Sequence, residues 1–300
     1  MAGGAVTVAR NFSPMKSSVL FRALAALFAV PVGAAAQSHC KPPAASNEAR
    51  ILAFFASPLA FSAAPEVMLL THGQIALAGD LTLVPSAPSS ISRSTGICGF
   101  AKSENSDLAP VFPRPRVAVG LGYGFVAELS YLPPVTVADA TPNMFAAALA
   151  WTPADLSLPG GAQLHLRAHG TFGGVKGPIT CSRAALQTSS ASQSCYGTNP
   201  SKDSYNPNVR GIEAVLSRPS GAVRWYAGAG INSTASYFKV DFTDQRGFRD
   251  NNTVEINLTR VALLGGATWS VLPAIALSAQ IYSVPEDATT GRLGIAWRAR

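Results

Sequence analysis

The chain has 300 residues, 48% of them hydrophobic and 13% charged, with a formal net charge of +7 at neutral pH. The basic excess is scattered and contains no basic run, which argues against nucleic-acid binding. After residue 36 no apolar run reaches the roughly 18 residues that a spanning helix needs, so helical membrane spans are excluded.

Residues 1–36 have the pattern of a cleavable export signal. Three basic residues, an apolar core from Ala23 to Val32 and small residues from Gly33 to Ala36 follow in the expected order. The alternative is an uncleaved anchor, but the apolar core is shorter than the roughly 20 residues of a spanning helix. Cleavage would leave 20 basic and 16 acidic residues in an exported chain of net charge +4.

Beyond the signal, segments that alternate polar and apolar side chains recur up to the C-terminus. In the clearest one, His165, Arg167 and His169 alternate with apolar or small residues. Because a strand projects successive side chains to opposite faces, one face is polar and the other apolar. The pattern predicts about ten strands, with eight or twelve as alternative counts, at residues 74–84, 115–121, 125–132, 143–152, 162–172, 209–217, 222–240, 253–269, 274–283 and 291–299.

The connections between the predicted strands alternate in length. Those after the second, fourth, sixth and eighth strands are short, and the others are longer or more polar. Short turns on one side and long loops on the other are typical of an outer-membrane barrel. We therefore predict an all-β fold over residues 66–300, a single antiparallel up-and-down transmembrane β-barrel with both termini on the short-turn side.

The ionisable residues of the predicted polar face are candidates for lining the lumen. Ionisable groups in a membrane barrel face the interior and pair with one another. Arg260 reaches this face only if a β-bulge near Thr259 shifts the eighth strand by one residue. Such a set would close a narrow lumen with ion pairs, line a small polar channel, or remain a solvated interior without a specific role. The candidates are Asp80, Arg116, Glu128, His165, Arg167, His169, Glu213, Arg224, Glu255, Arg260 and Arg292.

The four tryptophans point independently to contact with a membrane. Trp151, Trp225, Trp269 and Trp297 all fall on the apolar face, each toward the short-turn end of its strand. Membrane barrels carry aromatic girdles where the lipid headgroups begin. The alternative is that they are core tryptophans of a soluble β-sandwich.

With its signal, amphipathic strands and alternating turns and loops, the chain resembles bacterial outer-membrane β-barrel proteins. The resemblance covers about residues 66–300 and is architectural, without a signature motif. It implies insertion into outer-membrane lipid by the outer-membrane assembly machinery, and a location in the bacterial outer membrane. That machinery favours a terminal aromatic residue, whereas here Trp297 is followed by Arg298, Ala299 and Arg300.

All four cysteines follow the signal, and an even count in an exported chain predicts disulfides. Cys181 and Cys195 flank a loop rich in serine and glutamine, which leaves Cys40 to pair with Cys98. A metal site is the rival interpretation, but there is no CxxC motif and only His39 adjoins a cysteine. We therefore predict no metal ligands and no cofactor.

Residues 37–65 form an N-terminal segment that is either periplasmic or a plug in the lumen. Its apolar part, residues 51–65, is interrupted by Pro58 and Pro65 and fits no strand. A bridge from Cys40 to Cys98, which falls in the first long loop, would take the segment across the barrel. We therefore hypothesise that residues 41–65 plug the lumen; the alternative is a disordered periplasmic tail, with Cys40 and Cys98 free or paired elsewhere.

Three functions remain open at this point. The first is a narrow pore or a transporter of small solutes or hydrophobic ligands, and the second is a closed structural or adhesin-like barrel that acts through loops 85–114 and 181–195. The third is a soluble exported β-sandwich. No enzymatic activity is expected, because no serine lies two residues from His165 or His169 on their shared face and no carboxylate pair is evident.

Overall fold

Ten long strands hydrogen-bond to their neighbours and close into one antiparallel barrel. The computed structural model describes residues 40–88, 98, 111–137, 139–156 and 158–299. The ring closes where the last strand pairs with the first, from Ala299 opposite Ile75 to Gly291 opposite Leu83. The predicted ten-stranded barrel is confirmed. In the chain-order numbering of all fifteen strands, the barrel strands are β1 (Ile75–Leu83), β2 (Val111–Gly122), β3 (Phe125–Leu132), β4 (Thr141–Trp151), β5 (Gln163–Gly177), β7 (Val209–Ser220), β8 (Val223–Thr234), β13 (Leu258–Leu272), β14 (Ile275–Val284) and β15 (Ala288–Ala299).

Shorter elements build a layer over the long-loop end of the barrel, which we call the cap. Three strands continue the sheet outward from the end of β5, in the order β6, β9 and β12. A separate two-stranded hairpin joins β10 to β11. The cap consists of α1 (Asn47–Ala56), β6 (Asp203–Asn206), β9 (Tyr237–Lys239), β10 (Phe242–Thr243), β11 (Arg249–Asp250) and β12 (Thr253–Glu255).

The wall of the barrel is polar inside and apolar outside. Along β5, His165 and Arg167 are buried whereas Leu166 between them is 41% exposed. Large apolar side chains such as Leu129 and Ile281 are likewise exposed on the outer surface. A single sheet closed on itself, with its apolar face outward, replaces the alternative of a soluble β-sandwich.

The prediction of one continuous eighth strand over residues 253–269 is wrong. The structure divides it into β12, which belongs to the cap, and β13, which begins at Leu258. The register of β13 with β8 runs without a shift from Leu258 opposite Thr234 to Trp269 opposite Val223, so the expected bulge near Thr259 is absent. Arg260 lies on the inner face because the break before Leu258, and not a bulge, resets the alternation.

The second strand begins at Val111, earlier than the predicted residue 115, so the predicted loop 85–114 is too long at its C-terminal end. Pro113 and Pro115 disguise this part of the strand, because proline lacks the N–H that a sheet ladder uses. They are tolerated here because β2 pairs with β3 only from Val117 onward.

Both predicted disulfides form. The Cys181–Cys195 bond closes a loop within the connection between β5 and β6. The Cys40–Cys98 bond joins the start of the described chain to the first long connection. The backbone of Cys40 also forms a parallel β-bridge with Val254 of β12. The described chain therefore starts at the long-loop end, in the cap.

Residues 47–70 run from the cap into the barrel, and we call this segment the insert. Its first part, α1, lies in the cap, and the rest lies in the lumen. It starts with α1, whose first turn is capped by the Ser46 hydroxyl accepting a hydrogen bond from the Ala49 N–H at 3.1 Å. A short 3-10 helix, η1 (Ser57–Leu59), follows, and the chain then continues without regular structure to Leu70. None of the described helices is long and apolar enough to cross a membrane.

At the short-turn end the insert leaves the lumen and turns into β1. The Gly73 N–H donates to the Gly120 carbonyl, and the Gly120 N–H donates to the Gln74 carbonyl, each at 2.9 Å. The two segments approach so closely that a methyl carbon on Gly120 would lie 1.9 Å from the Thr71 carbonyl oxygen. Only glycine fits at this crossing.

Candidate functional site

The inner wall of the barrel is made largely of small residues, which leave room for the insert. Ten strands give a wider interior than the eight or so whose side chains alone fill a barrel. The buried segment extends past the predicted boundary at residue 65, since Glu66, Val67 and Leu70 are all buried. Small wall residues that face inward include Ala76, Ala118, Ala146, Ala148, Ala150, Ala262, Ala276, Ala296, Gly228, Gly230, Gly266 and Gly294.

The backbone carbonyls of the insert are bound by polar side chains of the wall. A buried stretch outside helix or sheet must find hydrogen-bond partners elsewhere. Here the wall donates to the carbonyl oxygens of consecutive insert residues. The bonds run from Arg114 to Leu59 (2.8 Å) and Ala60 (2.9 Å), Thr171 to Leu59 (3.0 Å), Arg292 to Ala60 (3.1 Å), Arg167 to Phe61 (2.6 Å), Arg116 to Ser62 (3.2 Å) and Gln280 to Ala63 (2.9 Å).

Two of these arginines also belong to a buried network of ion pairs. Glu128 bridges them, accepting from Arg167 Nε at 2.9 Å and from Arg116. Arg116 is 2.5 Å from Asp80, and Arg167 is 3.1 Å from Glu213. Buried charges are tolerated when they are paired and hydrogen-bonded in this way. The network therefore fixes the positive groups that hold the insert.

The ring of Phe61 lies among three guanidinium groups in the middle of the lumen. Its centroid is 4.2 Å from the Cζ of Arg116, 4.9 Å from that of Arg167 and 5.5 Å from that of Arg114. The face of an aromatic ring attracts cations, more strongly where water is excluded. Phe61 is thus the side chain by which the insert is centred between β2 and β5.

Farther along the lumen, Glu66 turns its carboxylate to the opposite wall. It accepts hydrogen bonds from Ser278 at 3.1 Å and Thr268 at 3.4 Å. Beside it lies a cavity of about 10 Å³, roughly the volume that one water molecule needs. The space that the insert leaves beside Glu66 is thus about that of one water molecule.

The predicted lumen residues separate into three groups in the structure. His165 lies toward the short-turn end, where it contacts Thr152 and Ser217, and Arg224 contacts Gln163 and Ser217 in the same region. Arg260 lies at the long-loop end, 3.1 Å from Glu286 and 3.3 Å from Asp287. The remaining inner-wall group surrounds the insert and comprises Asp80, Arg116, Glu128, Arg167, His169, Glu213 and Arg292.

Glu255 is a correction to the predicted lumen set. It belongs to β12 in the cap and lies 3.4 Å from Lys41, outside the barrel wall. Unbroken alternation over residues 253–269 would place it inside, but β12 and β13 are separate strands. The break at Ile256 and Asn257 ends the alternation on which that placement depended.

Two residues of the site escaped the sequence analysis. Arg114 was assigned to a loop, although Phe112, Arg114 and Arg116 alternate with Val111, Pro113 and Pro115 at strand spacing. That alternation was the available signal. Glu66 had no comparable signal, since it lies in a segment without periodic structure.

His165 has a serine within hydrogen-bond distance, which the alternation of its own strand does not provide. Ser217, from the strand adjacent to His165, lies with its Oγ 2.9 Å from Nε2 of that histidine. Alternation along the histidines' own strand contains no such serine, and the neighbouring strand supplies it. Both side chains are fully buried.

The cap surrounds α1 with an apolar core. Leu52, Phe54 and Phe55 pack in one cluster with side chains from β6, β9 and β12. Tyr205 of β6 donates a hydrogen bond to the Leu52 carbonyl at 2.7 Å. Burial raises the pKa of the Tyr205 phenol above its ordinary value, so this donor keeps its proton.

The outer part of the cap contains a polar cleft of about 750 Å³. Arg183, Lys202 and Arg249 contribute positive charge to its lining. Asp244 also lines it; although desolvation acts to raise the pKa of this carboxyl, hydrogen bonds from Arg246 and from the Phe248 N–H hold it below its usual range. The cleft is therefore lined by charges of both signs.

All four tryptophans lie on the outer surface near the short-turn end. Their exposed fractions are 37% for Trp151, 60% for Trp225, 52% for Trp269 and 48% for Trp297. Trp151 and Trp297 lie at or near the ends of β4 and β15, and Trp225 is close to the start of β8. They occupy the level at which an aromatic girdle would be expected.

No protein-family model matches the chain, and no curated protein matches it. Among solved structures, Ail of Yersinia pestis is similar at 10% identity and a TM-score of 0.24, over 76% of this chain and 100% of that one. The toluene transporter TbuX of Ralstonia pickettii is similar at 8% identity and a TM-score of 0.32, over 78% and 91%. Neisserial surface protein A is similar at 10% identity and a TM-score of 0.23, over 75% and 94%.

These similarities are low, so the fold is argued from the chain's own strand pairing. A closed antiparallel barrel with an apolar outer belt and a polar interior is the architecture of outer-membrane barrels. The protein is a β-barrel of the outer-membrane type.

Proposed function

We propose that the protein is a gated barrel of the bacterial outer membrane. At rest its N-terminal insert closes the passage, and small solutes pass when residues 57–70 are displaced. The apolar outer belt and the level of the four tryptophans support insertion into outer-membrane lipid. In this proposal the outer-membrane assembly machinery inserts the barrel, and no catalytic activity is assigned to it.

One observation carries the proposal: the space that the wall side chains leave in the lumen is filled by a separate stretch of chain, residues 57–70. The inward positions of β4, Ala146, Ala148 and Ala150, are small where the insert passes. If residues 57–70 withdraw, these positions leave an open interior with charged groups on its wall. A barrel with only a structural role needs no such removable segment, because larger wall side chains would fill it.

A second candidate function is a closed, adhesin-like barrel that acts through its cap. The polar cleft of about 750 Å³ and the Cys181–Cys195 bond of the cap favour it. Under this alternative the insert is a permanent part of the core. The two candidates differ in whether displacement of the insert opens a conductance.

The test is the conductance of the full-length oxidised protein in a planar lipid bilayer. The wild-type barrel is expected to insert without current. Phe61→Lys places an ammonium group among the guanidiniums of Arg114, Arg116 and Arg167, and this repulsion should displace the insert and produce discrete current steps. Thr71→Lys adds the same charge at the exposed residue that directly follows the insert, and this variant should stay closed.

Folding of each variant is checked by its β-sheet circular dichroism and its heat-dependent migration in gels. Steady current through the wild-type barrel would show that the insert does not close it. If Phe61→Lys folds and inserts, and its residues 57–70 become accessible to protease without any current, the gated passage is wrong and the cap becomes the functional surface.

A further inference from the structure

The four lumen arginines that hold the insert differ in their own partners. Arg116 lies against both Asp80 and Glu128, and Arg167 lies against both Glu128 and Glu213. Among the residues that the structure describes, no carboxylate makes an ion pair with Arg114 or Arg292. These two are 3% and 5% exposed, so within the described part of the chain their charges are buried without a carboxylate in direct contact.

Arg114 and Arg292 meet instead on backbone oxygens of the insert. Both donate to the carbonyl of Ala60, at 2.9 Å and 3.1 Å. Arg114 also donates to the Leu59 carbonyl at 2.8 Å, and Arg292 donates to the Ser62 hydroxyl and to the Pro58 carbonyl at 3.5 Å. The Nε of Arg292 has no partner in the described structure. Two buried guanidinium groups thus converge on a cluster of neutral oxygens.

A neutral carbonyl is a weaker partner for a guanidinium than an ionised oxygen. Hydrogen bonds between a guanidinium and a carboxylate or phosphate are roughly twice as strong as neutral ones and are frequently bidentate. Burying a charge without such a partner is costly. The geometry is therefore that of a site for an oxyanion, in which neutral oxygens of the insert stand where the charged oxygens of an anion would bind.

We propose that Arg114 and Arg292 form the anion-recognition site of the open barrel. The carbonyl oxygens of residues 58–60 occupy this site at rest, and a small solute carrying a carboxylate or phosphate takes their place when the insert withdraws. This inference deepens the proposed function and rests on it. It assigns small oxyanions as the class of solute.

The wall keeps the two arginines in place independently of the insert. Arg114 is on β2 and Arg292 is on β15, the two strands that pair with β1. The Cζ of Arg114 lies 5.3 Å from the centroid of Phe112, and that of Arg292 lies 4.6 Å from the centroid of Tyr282. Because these rings belong to the wall, the site stays formed when the Ala60 carbonyl leaves.

The test is hydrogen exchange of the amides of residues 59–70 in the full-length oxidised protein. A non-ionic detergent without phospholipid excludes lipid headgroups as the source of phosphate. Potassium phosphate and potassium acetate are compared with potassium chloride at equal pH and ionic strength. An anion that binds only the open state raises its population, so phosphate at about ten times its dissociation constant should accelerate exchange about tenfold.

Three variants decide whether the arginines carry this effect. Arg292→Gln and Arg114→Gln should lose the phosphate-dependent acceleration, whatever their exchange in chloride. Arg292→Lys keeps the charge without the planar fork and should retain only part of it. Arg224→Gln, at an inner-wall arginine that contacts Gln163 and Ser217 but not the insert, should respond as the wild type does.

An exchange rate that is the same in phosphate and chloride would overturn the site, as would an undiminished phosphate response in Arg292→Gln. Failure of the proposed function looks different. In that case Phe61→Lys carries no current in any salt. A variant that conducts while phosphate leaves exchange unchanged would refute the anion site and leave the gated passage standing.

Discussion

The two halves of the insert are buried in opposite ways. Within α1 the backbone satisfies its own hydrogen bonds, so the helix can lie in an apolar cluster in the cap. Residues 60–70 have no regular structure, and their carbonyls take hydrogen bonds from the wall. An irregular buried chain needs hydrogen-bond donors from its surroundings, and the polar interior of the barrel supplies them. A helix needs none, so α1 can be buried in an apolar cap.

This difference also indicates which half can move. Water and ions can replace the hydrogen bonds that hold residues 59–63, because each bond from a guanidinium group to a carbonyl contributes only about 1.5–3 kcal/mol net. The apolar contacts of α1 have no such substitute in water. We therefore expect displacement to involve the lumen half, with the helix and its disulfide remaining in the cap.

The largest expected effect comes from breaking the ion-pair network of the wall that surrounds the lumen half of the insert. Glu128→Gln leaves Arg116 and Arg167 without their shared carboxylate, and loss of one partner from a buried ion pair costs about 3–5 kcal/mol. The measurement is the free energy of unfolding in guanidinium, in detergent micelles. Glu286→Gln removes an exposed partner of Arg260 and should cost less than about 1 kcal/mol. Equal losses in the two variants would contradict the network.

The apolar half should respond to truncation of a core side chain. Phe54→Ala removes a buried ring from the cluster around α1, and such changes cost about 3 kcal/mol or more. Hydrogen exchange should become faster in the cap and stay unchanged in β13 and β14. Phe248→Ala, at a ring that is 66% exposed in the cap, serves as the control and should change stability by less than about 0.5 kcal/mol.

The smallest effect concerns the titration of two carboxyl groups in the long-loop connections, beginning with the desolvated Asp287. Desolvation raises the pKa of Asp287 above its ordinary 3.8, against the lowering effect of Arg260. The folded state then holds this proton more tightly than the unfolded state does, so the contribution of Asp287 to stability is present below pH 3.8 and is lost as pH rises through its folded pKa. Asp287→Asn should remove this dependence from unfolding curves recorded across that range.

Asp244 provides the opposite sign as a control. Its pKa is lowered, so its contribution is present above its ordinary pKa and is lost as pH falls through the folded value. Asp244→Asn should therefore weaken the protein at neutral pH relative to acid pH. A pH dependence of the same sign for Asp287 and Asp244 would contradict the desolvation of Asp287.

The strands were predictable because their signal is local. Alternation at a period of two residues identified all ten barrel strands, and its errors lie at the boundaries of strands. Glu255 was misplaced because the pairing of β12 with β9 leaves no local sign of where β13 begins. Arg114 was missed because prolines, which normally exclude a strand, are tolerated where β2 has no partner on the β3 side.

The sequence by itself determined the alternation of faces, the short and long connections and the level of the tryptophans, because each depends on residue type and spacing; the connectivity of the cysteines was settled by the structure. Only the tertiary structure decided what fills the lumen. The contact of Arg292 with the Ala60 carbonyl joins residues 232 positions apart. Every residue has a backbone carbonyl, so the side chains of the insert do not indicate which wall residue will bind its carbonyls.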